Sequence, residues 1–144
     1  MHLKLTNGTP AKYTLGQLRR DNPQTSFPKQ IPDELLASYD VYPYSRPAAP
    51  EYDSLSWRLI DDAFVNVNGA WILPYDLEEL PLDQAEQNIR SRRDSLLAET
   101  DWLVIKSYER SENIPAEWEL YRQALRDITE QAGFPYEVQW PTKP

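Results

Sequence analysis

A helical repeat of apolar residues near the C-terminus constrains the fold more than any other feature of this sequence. Its members are separated by three or four residues: Trp118, Tyr121, Leu125, Ile128 and Ala132. This spacing places them on one face of an α-helix. Pro115 suits the first turn of that helix, where the missing proline N–H has no partner to lose. Gly133 is expected as the residue just after the helix end, and Pro135 prevents the helix from resuming.

A second apolar stripe precedes this helix and predicts a first long helix. Its members share one helical face: Ala85, Ile89, Leu96, Thr100 and Leu103. The helix should begin between Leu80 and Asp83. Asp83 and Glu86 have the spacing of a capping box, in which two side chains satisfy the first free N–H groups.

The first helix can extend through Trp102 to Arg110, because Val104 and Tyr108 continue its stripe. Residues 111–114 then form a turn. Two helices with so short a connection are expected to pair antiparallel. We therefore expect the shared core of the pair to contain three aliphatic side chains: Leu96, Leu125 and Ile128.

Several ordered pieces of this C-terminal region carry a family resemblance. They are Arg93–Leu97, Thr100–Trp102, Tyr121–Ile128, Gly133–Pro135 and Trp140–Pro141. As a set they resemble the phage tail assembly chaperone family, relatives of the tail fibre assembly proteins of tailed bacteriophages. Near the N-terminus, Tyr13–Pro23 with Ser26–Pro28 is similar to N-terminal segments of such phage proteins.

The resemblance implies a non-enzymatic phage tail protein that binds a tail fibre, baseplate or neighbouring tail protein as an assembly chaperone. It would act in the cytoplasm of the bacterial host during assembly. The alternative is a structural virion component, a fibre-associated connector or hinge that stays in the mature particle. A homo-oligomer is left open by the sequence, and so is the identity of the partner.

The charge distribution argues against nucleic acid as a partner. The net charge is −8, and it divides into +4 over residues 1–30, −8 over residues 31–81 and −4 over residues 82–144. An acidic chain repels the phosphate backbone. The basic first segment could instead dock on the acidic middle of the same chain or on a partner. No apolar run is long enough to span a bilayer, and the N-terminus lacks a hydrophobic signal core.

Residues that could support catalysis or bind a metal are scarce. There is no cysteine, and His2 is the only histidine. The adjacent carboxylates Asp61-Asp62 and Glu78-Glu79 could suggest paired acids, but neighbouring acids in turns are usually solvated. The sequence therefore predicts no enzyme activity, no cofactor and no metal site.

The first half of the chain predicts short elements and, with the helices, an α+β fold. Met1–Leu5 reads as a strand before an Asn7-Gly8 turn, and Thr14 can cap a short helix that ends before Pro23. A second short helix is expected at Pro32–Tyr39 and extended chain at Val41–Tyr44. Ser45–Pro50 reads as a proline-rich linker. It separates an N-terminal docking region, residues 1–50, from residues 51–144.

A small antiparallel sheet of two or three strands is predicted over residues 55–75. Asn68-Gly69 lies between apolar runs, which is the strongest short signal for a β-hairpin. Pro74 and Pro81 then frame an acidic connector, Asp76–Leu80.

Two groups of residues are candidate partner contacts. The first is Arg19, Arg20 and Phe27 in the basic N-terminal segment, and the second is Trp140 and Pro141 in the aromatic tail. The tail could instead fold back on the helix pair. The basic cluster of Arg90, Arg92 and Arg93 is most simply a solvated helix face with acids at helical spacing, with docking to an acidic partner as the alternative.

Overall fold

The computed structural model describes the whole chain, Met1–Pro144, and confirms an α+β fold. The strands are β1 (His2–Thr6), β2 (Thr9–Tyr13), β3 (Val41–Ser45), β4 (Trp57–Asp61), β5 (Val65–Val67), β6 (Ala70–Ile72) and β7 (Tyr75–Glu79). The helices are α1 (Leu15–Asp21), α2 (Asp33–Ala37), α3 (Leu82–Ala98), α4 (Asp101–Arg110) and α5 (Ala116–Arg126). None of these helices is both long and apolar enough to cross a lipid bilayer.

The chain divides into two compact units, and each consists of two stretches of sequence. The first unit contains Met1–Pro50 and Leu59–Asp76. The second unit contains Glu51–Arg58 and Leu77–Pro144. The chain passes from one unit to the other at Pro50 and again within β4 and within β7.

The first unit is built on a five-stranded sheet with the order β2-β1-β3-β6-β5. Two tight hairpins join neighbouring strands of this sheet. Asn7 and Gly8 have φ angles of 51° and 81°, and Asn68 and Gly69 have φ angles of 52° and 86°. Asparagine and glycine adopt such left-handed conformations most readily, so both predicted turns are confirmed.

This sheet is larger than the one predicted for residues 55–75. β5 and β6 form the expected antiparallel hairpin, but β6 also pairs in parallel with β3, through Tyr44 opposite Trp71. β4 pairs with β7 instead, in a separate two-stranded sheet. The acidic stretch predicted as a connector is thus largely strand β7, because pairing with β4 outweighs its weak intrinsic strand preference.

Two short helices cover the core of the first unit. Thr14 caps α1 as predicted: its side chain accepts a hydrogen bond from the Gln17 N–H, and the Gln17 side chain accepts one from the Thr14 N–H at 2.7 Å. The core cluster consists of Leu18, Leu36 and Val41, which are fully buried. The packing of these three side chains fixes α1 and α2 against β3.

In the second unit, the predicted long helix is two helices. α3 ends at Ala98, and α4 begins at Asp101 after a break at Thr100, where φ is −113° and ψ is 3°. The prediction of a continuous helix to Arg110 was wrong. The expected capping box was also wrong: Pro81 occupies the N-cap position of α3, and no side chain caps that end.

The burial predicted for the two helical stripes is confirmed in part. Leu125 and Ile128 are fully buried, whereas Leu96 of α3 is only half-buried and Ala132 is exposed. Pro115 lies at the N-cap, one position before the first turn, and its carbonyl accepts hydrogen bonds from the N–H groups of Trp118 and Glu119 at 3.0 and 3.1 Å.

The end of α5 differs from the prediction. The helix stops at Arg126, a 3₁₀ turn continues over Asp127–Glu130, and Gly133 is not the residue that caps the helix. The role of Gly133 is a close approach instead. A Cβ atom there would lie 2.5 Å from the carbonyl oxygen of Glu137, which leaves room only for glycine.

The chain from α5 to the C-terminal segment runs antiparallel to α3. Arg122 bonds to the carbonyl of Leu97 near the end of α3, Arg90 lies over the ring of Phe134, and the Tyr136 hydroxyl bonds to the carbonyl of Leu80. The segment after α5 therefore returns along α3 toward its N-terminal end. It is α3, rather than α4, that pairs with α5.

Candidate functional site

The outer face of α4 carries an unusual set of exposed apolar side chains. Trp102, Ile105 and Tyr108 are 56%, 59% and 87% exposed. They follow one another at intervals of three residues, so they form a continuous stripe along one side of the helix. The opposite side of α4 carries Leu103 and Ser107, which are buried. We call the stripe of Trp102, Ile105 and Tyr108 the α4 face.

The break before α4 is held by a side chain of α5. Arg122 of α5 is only 8% exposed, and its guanidinium donates hydrogen bonds to the carbonyl of Leu97 and to the carboxylate of Asp101, both at 2.9 Å. It also bonds to the hydroxyl of Thr100. One side chain therefore binds the last turn of α3, the break and the first residue of α4, and it holds the start of α4 in place.

A groove opens beside Tyr108, where α4 turns into α5. Its apolar part is formed by Val104 and Ile114, which are half-buried, and by Ala116. Glu112 and Glu119 also line it, and no Lys or Arg does. We call this feature, with Tyr108 as its outer wall, the α4–α5 groove.

The predicted contacts Arg19, Arg20 and Phe27 lie in the first unit. Arg19 and Arg20 are exposed in the last turn of α1, and Arg19 donates a 3.2 Å hydrogen bond to the carbonyl of Pro28. Phe27 is half-buried against the core cluster, and its ring meets that of Tyr39 edge-on at 5.4 Å. The two arginines are therefore available to a partner, while much of Phe27 packs internally.

The other predicted contacts, Trp140 and Pro141, lie in the second unit, and both are half-buried. The segment that holds them is fastened on both sides. Gln131 exchanges two hydrogen bonds with the backbone of Gln139, at 2.8 and 2.9 Å, and Lys143 forms a 3.1 Å ion pair with Glu99. The tail thus folds back on the helices of its own unit and leaves part of Trp140 uncovered.

A second set of bonds fixes the start of the tail, around Pro135. The hydroxyl of Ser56 donates to the carbonyl of Pro135 at 2.5 Å, and the indole of Trp57 donates to the carbonyl of Tyr136 at 3.1 Å. Ser56 is fully buried, so its hydroxyl needs this partner. Trp57 and Tyr136 therefore help to hold the start of the tail in place.

The charged residues that could suggest chemistry are mostly paired internally. Asp61 binds Lys12 and Arg46, so a lysine of the basic first segment does contact the acidic middle of the chain. Glu78 accepts a 2.5 Å hydrogen bond from Arg58, which lowers the pKa of that carboxyl. Burial and the nearby N-terminal amine lower the pKa of His2. No cluster of three or more His, Cys, Asp or Glu could hold a metal ion.

The basic cluster on α3 behaves largely as a solvated helix face. Arg90 pairs with Glu86 one turn earlier at 3.6 Å, and Arg93 pairs with the adjacent Asp94 at 2.8 Å. Arg90 additionally lies over the ring of Phe134, 5.4 Å from its centre. The two ion pairs are local to α3, as expected for a solvated helix face, and Arg90 also contacts the C-terminal segment.

The α4 face was missed by the sequence interpretation. Tyr108 was assigned to the buried stripe, whereas it is the most exposed large apolar residue of the chain. The spacing of Trp102, Ile105 and Tyr108 was a signal, since residues three apart share a helix side. The sequence alone could not distinguish this stripe from the competing stripe through Leu103, because α4 carries apolar side chains on several of its sides.

The comparisons with known proteins point to one family. No curated protein and no solved structure matches this chain. A family model does match, and the matched stretch contains the α4 face, the α4–α5 groove and the C-terminal tail. Residues 86–144, less than half of the chain, match the family model described as phage tail assembly chaperone protein.

Proposed function

We propose that this protein is a non-enzymatic assembly chaperone that binds a tail fibre protein, or a neighbouring tail protein, through the α4 face. That bound tail protein is called the client below. The observation that carries the proposal is the exposure of Trp102, Ile105 and Tyr108 side by side within the family-matched stretch. The protein would act in the bacterial host during tail assembly.

Physical chemistry supports a binding role for this face. Contiguous apolar surface in contact with water is costly, and where it occurs on a folded protein it commonly marks an interaction site. Tryptophan and tyrosine are also the side chains that most often dominate binding energy at interfaces. An assembly factor needs such a surface, because it must hold apolar parts of a protein that has not yet met its final neighbours.

The α4 face is also held in position before any client binds. Arg122 fixes the start of α4, and at the other end Ser111 adopts a left-handed conformation with φ of 56°, followed by a 2.9 Å hydrogen bond from the Glu112 N–H to the carbonyl of Ser107. A surface that is ordered in advance loses less entropy on binding.

We further propose that Arg19, Arg20, Phe27, Trp140 and Pro141 contribute secondary contacts. The exposed guanidinium groups suit an acidic patch on a client, and the uncovered part of Trp140 suits an apolar one. For a homo-oligomer, the same proposal places the contact between two copies of the chain at the α4 face.

Co-expression of the tagged chain with the tail genes encoded beside it, followed by a pull-down, tests the proposal. We expect a tail fibre or other tail protein to co-purify with the wild type and to be lost with the double variant W102A/I105A. The matched control is Leu82→Ala, which removes an equally exposed aliphatic side chain from α3. Equal capture by all three proteins would show that the α4 face does not bind the client.

Mass spectrometry of purified phage particles separates the assembly role from the alternative, a connector or hinge retained in the virion. An assembly chaperone that is released should be absent from particles or present in traces. A stoichiometric amount would favour the structural role.

A further inference from the structure

We propose that the α4–α5 groove binds a client segment in which a large apolar side chain stands next to a lysine or arginine. This inference rests on the proposed function and names the chemistry of the partner. It concerns a site separate from the α4 face, although Tyr108 belongs to both.

The groove has an apolar part that can contact an apolar side chain of a client. Val104 and Ile114 are half-buried and form an apolar floor, and Ala116 keeps the α5 side low because it carries only a methyl group. Tyr108 rises beside them with almost its whole side chain in water. A leucine, isoleucine or phenylalanine placed on this floor would cover apolar surface on both partners.

The charges around the groove select the neighbour of that apolar side chain. Glu112 and Glu119 line it on the turn and on α5, and neither carboxylate forms an ion pair or side-chain hydrogen bond within the chain. No Lys or Arg lines the groove. Two carboxylates without a cation beside an apolar floor are complementary to an apolar anchor flanked by a cationic side chain.

The chain does not fill the groove with its own segments. The C-terminal residues Pro141 and Lys143 lie against a different part of α5, next to Glu117, Leu120 and Ala124. Lys143 is also committed to its ion pair with Glu99. The charge pattern therefore favours an external cationic segment as the occupant.

Two synthetic peptides give a direct test that needs no identified client. The first carries two leucines four residues apart, flanked by lysines, and its twin has every lysine replaced by glutamate. Both are titrated into the full ¹⁵N-labelled protein. We expect the lysine peptide to shift the amide signals of Val104, Ile114 and Ala116, and the glutamate peptide to leave them unchanged. Failure of the lysine peptide to bind, equal binding of both peptides, or shifts elsewhere would overturn the inference.

Substitutions identify the groups responsible. E112Q/E119Q should weaken binding of the lysine peptide by roughly three- to tenfold at low salt and flatten its salt dependence, because each exposed ion pair contributes modestly. Glu109→Gln, which removes an exposed carboxylate from α4 outside the groove lining, is the control and should change little. An equal effect of the control would mean that net charge, and not the groove, attracts the peptide.

The outcome is distinguishable from the outcome for the proposed function. A client that co-purifies equally well with wild type and E112Q/E119Q, but not with W102A/I105A, would leave the proposed function intact and overturn the groove assignment. Sedimentation velocity of the free protein tests a second copy of this chain as the occupant. A dimer that dissociates on E112Q/E119Q substitution would mean that a second copy of the chain occupies the groove. That outcome would contradict the proposal of a client segment.

Discussion

The guanidinium of Arg122 donates a 2.9 Å hydrogen bond to the carbonyl oxygen of Leu97, across the gap between α5 and the last turn of α3. The same carbonyl also accepts hydrogen bonds from the N–H and the hydroxyl of Thr100, at 3.0 and 2.9 Å, so the arginine adds a charged donor at the end of α3. The same guanidinium binds Thr100 and Asp101, where α4 begins. These bonds hold the end of α3 and the start of α4 in fixed positions relative to α5.

Removal of the arginine tests this role. Arg122→Ala should lower the free energy of unfolding by roughly 2–4 kcal/mol, because it removes a buried side chain and its charge-assisted hydrogen bonds to the Leu97 carbonyl and the Asp101 carboxylate. Arg126→Ala is the control, since that arginine lies one turn further along α5 and is exposed. Chemical denaturation measures both, and equal effects would refute a special role for Arg122.

The packed core of the second unit makes a second prediction. Leu125→Ala should cost roughly 2–5 kcal/mol of stability, because Leu125 is fully buried and its truncation leaves a cavity. Leu120→Ala, an exposed leucine on the same helix, should change stability by no more than about 0.5 kcal/mol. A cost below about 1 kcal/mol for Leu125→Ala would show that the stripe does not face a core.

Stability at high pH should depend on Tyr13. Burial, followed by the 2.5 Å hydrogen bond to Asp21, raises the pKa of Tyr13 from 10.0 to about 12. A pKa raised in the folded state means that folding favours the protonated hydroxyl. This contribution to stability is fully present below pH 10 and is lost as the pH rises toward 12.

The comparison of wild type with Tyr13→Phe isolates that contribution. We expect the stability difference between the two proteins to shrink as the pH is raised through this window, measured by denaturant unfolding at each pH. A difference that stays constant would mean that Tyr13 ionises as it does in the unfolded chain.

Trp140 distinguishes the two interpretations of the tail. We expect Trp140→Ala to weaken client binding by about 2 kcal/mol, with a smaller loss of thermal stability than Leu125→Ala causes, because Trp140 is only half-buried. The pull-down and a thermal melt are run in parallel. Full binding with a lowered melting temperature would make Trp140 a packing residue, and the proposed contact at Trp140 and Pro141 would be abandoned.

Much of the fold could be predicted because its signals are local. The hairpin at Asn68-Gly69, the cap at Thr14 and the repeat through Leu125 each depend on residues a few positions apart. The remaining features depend on distant partners. The break at Thr100 is bonded to an arginine of another helix, and the acidic stretch after Pro74 becomes strand β7 through pairing with β4.

The candidate site was harder to predict than the fold, for a related physical reason. The sequence shows that α4 has apolar residues, but it does not show which of them are buried. Leu103 and Tyr108 are both apolar enough to belong to a core. Only the tertiary contacts decide that Leu103 faces inward and Tyr108 faces water. The predicted contacts in the tail and the N-terminal segment came from aromatic content and charge, and they stay predictions.

Hydrogen exchange on the purified complex with its client tests the central claim most directly. Exchange of each backbone amide is compared between the free protein and the complex. If the α4 face binds the client, amides of Asp101–Arg110 should exchange more slowly in the complex, since a bound partner suppresses local opening of the helix it covers. Unchanged exchange in α4, with protection confined to Leu15–Asp21 or to residues 134–144, would contradict the account.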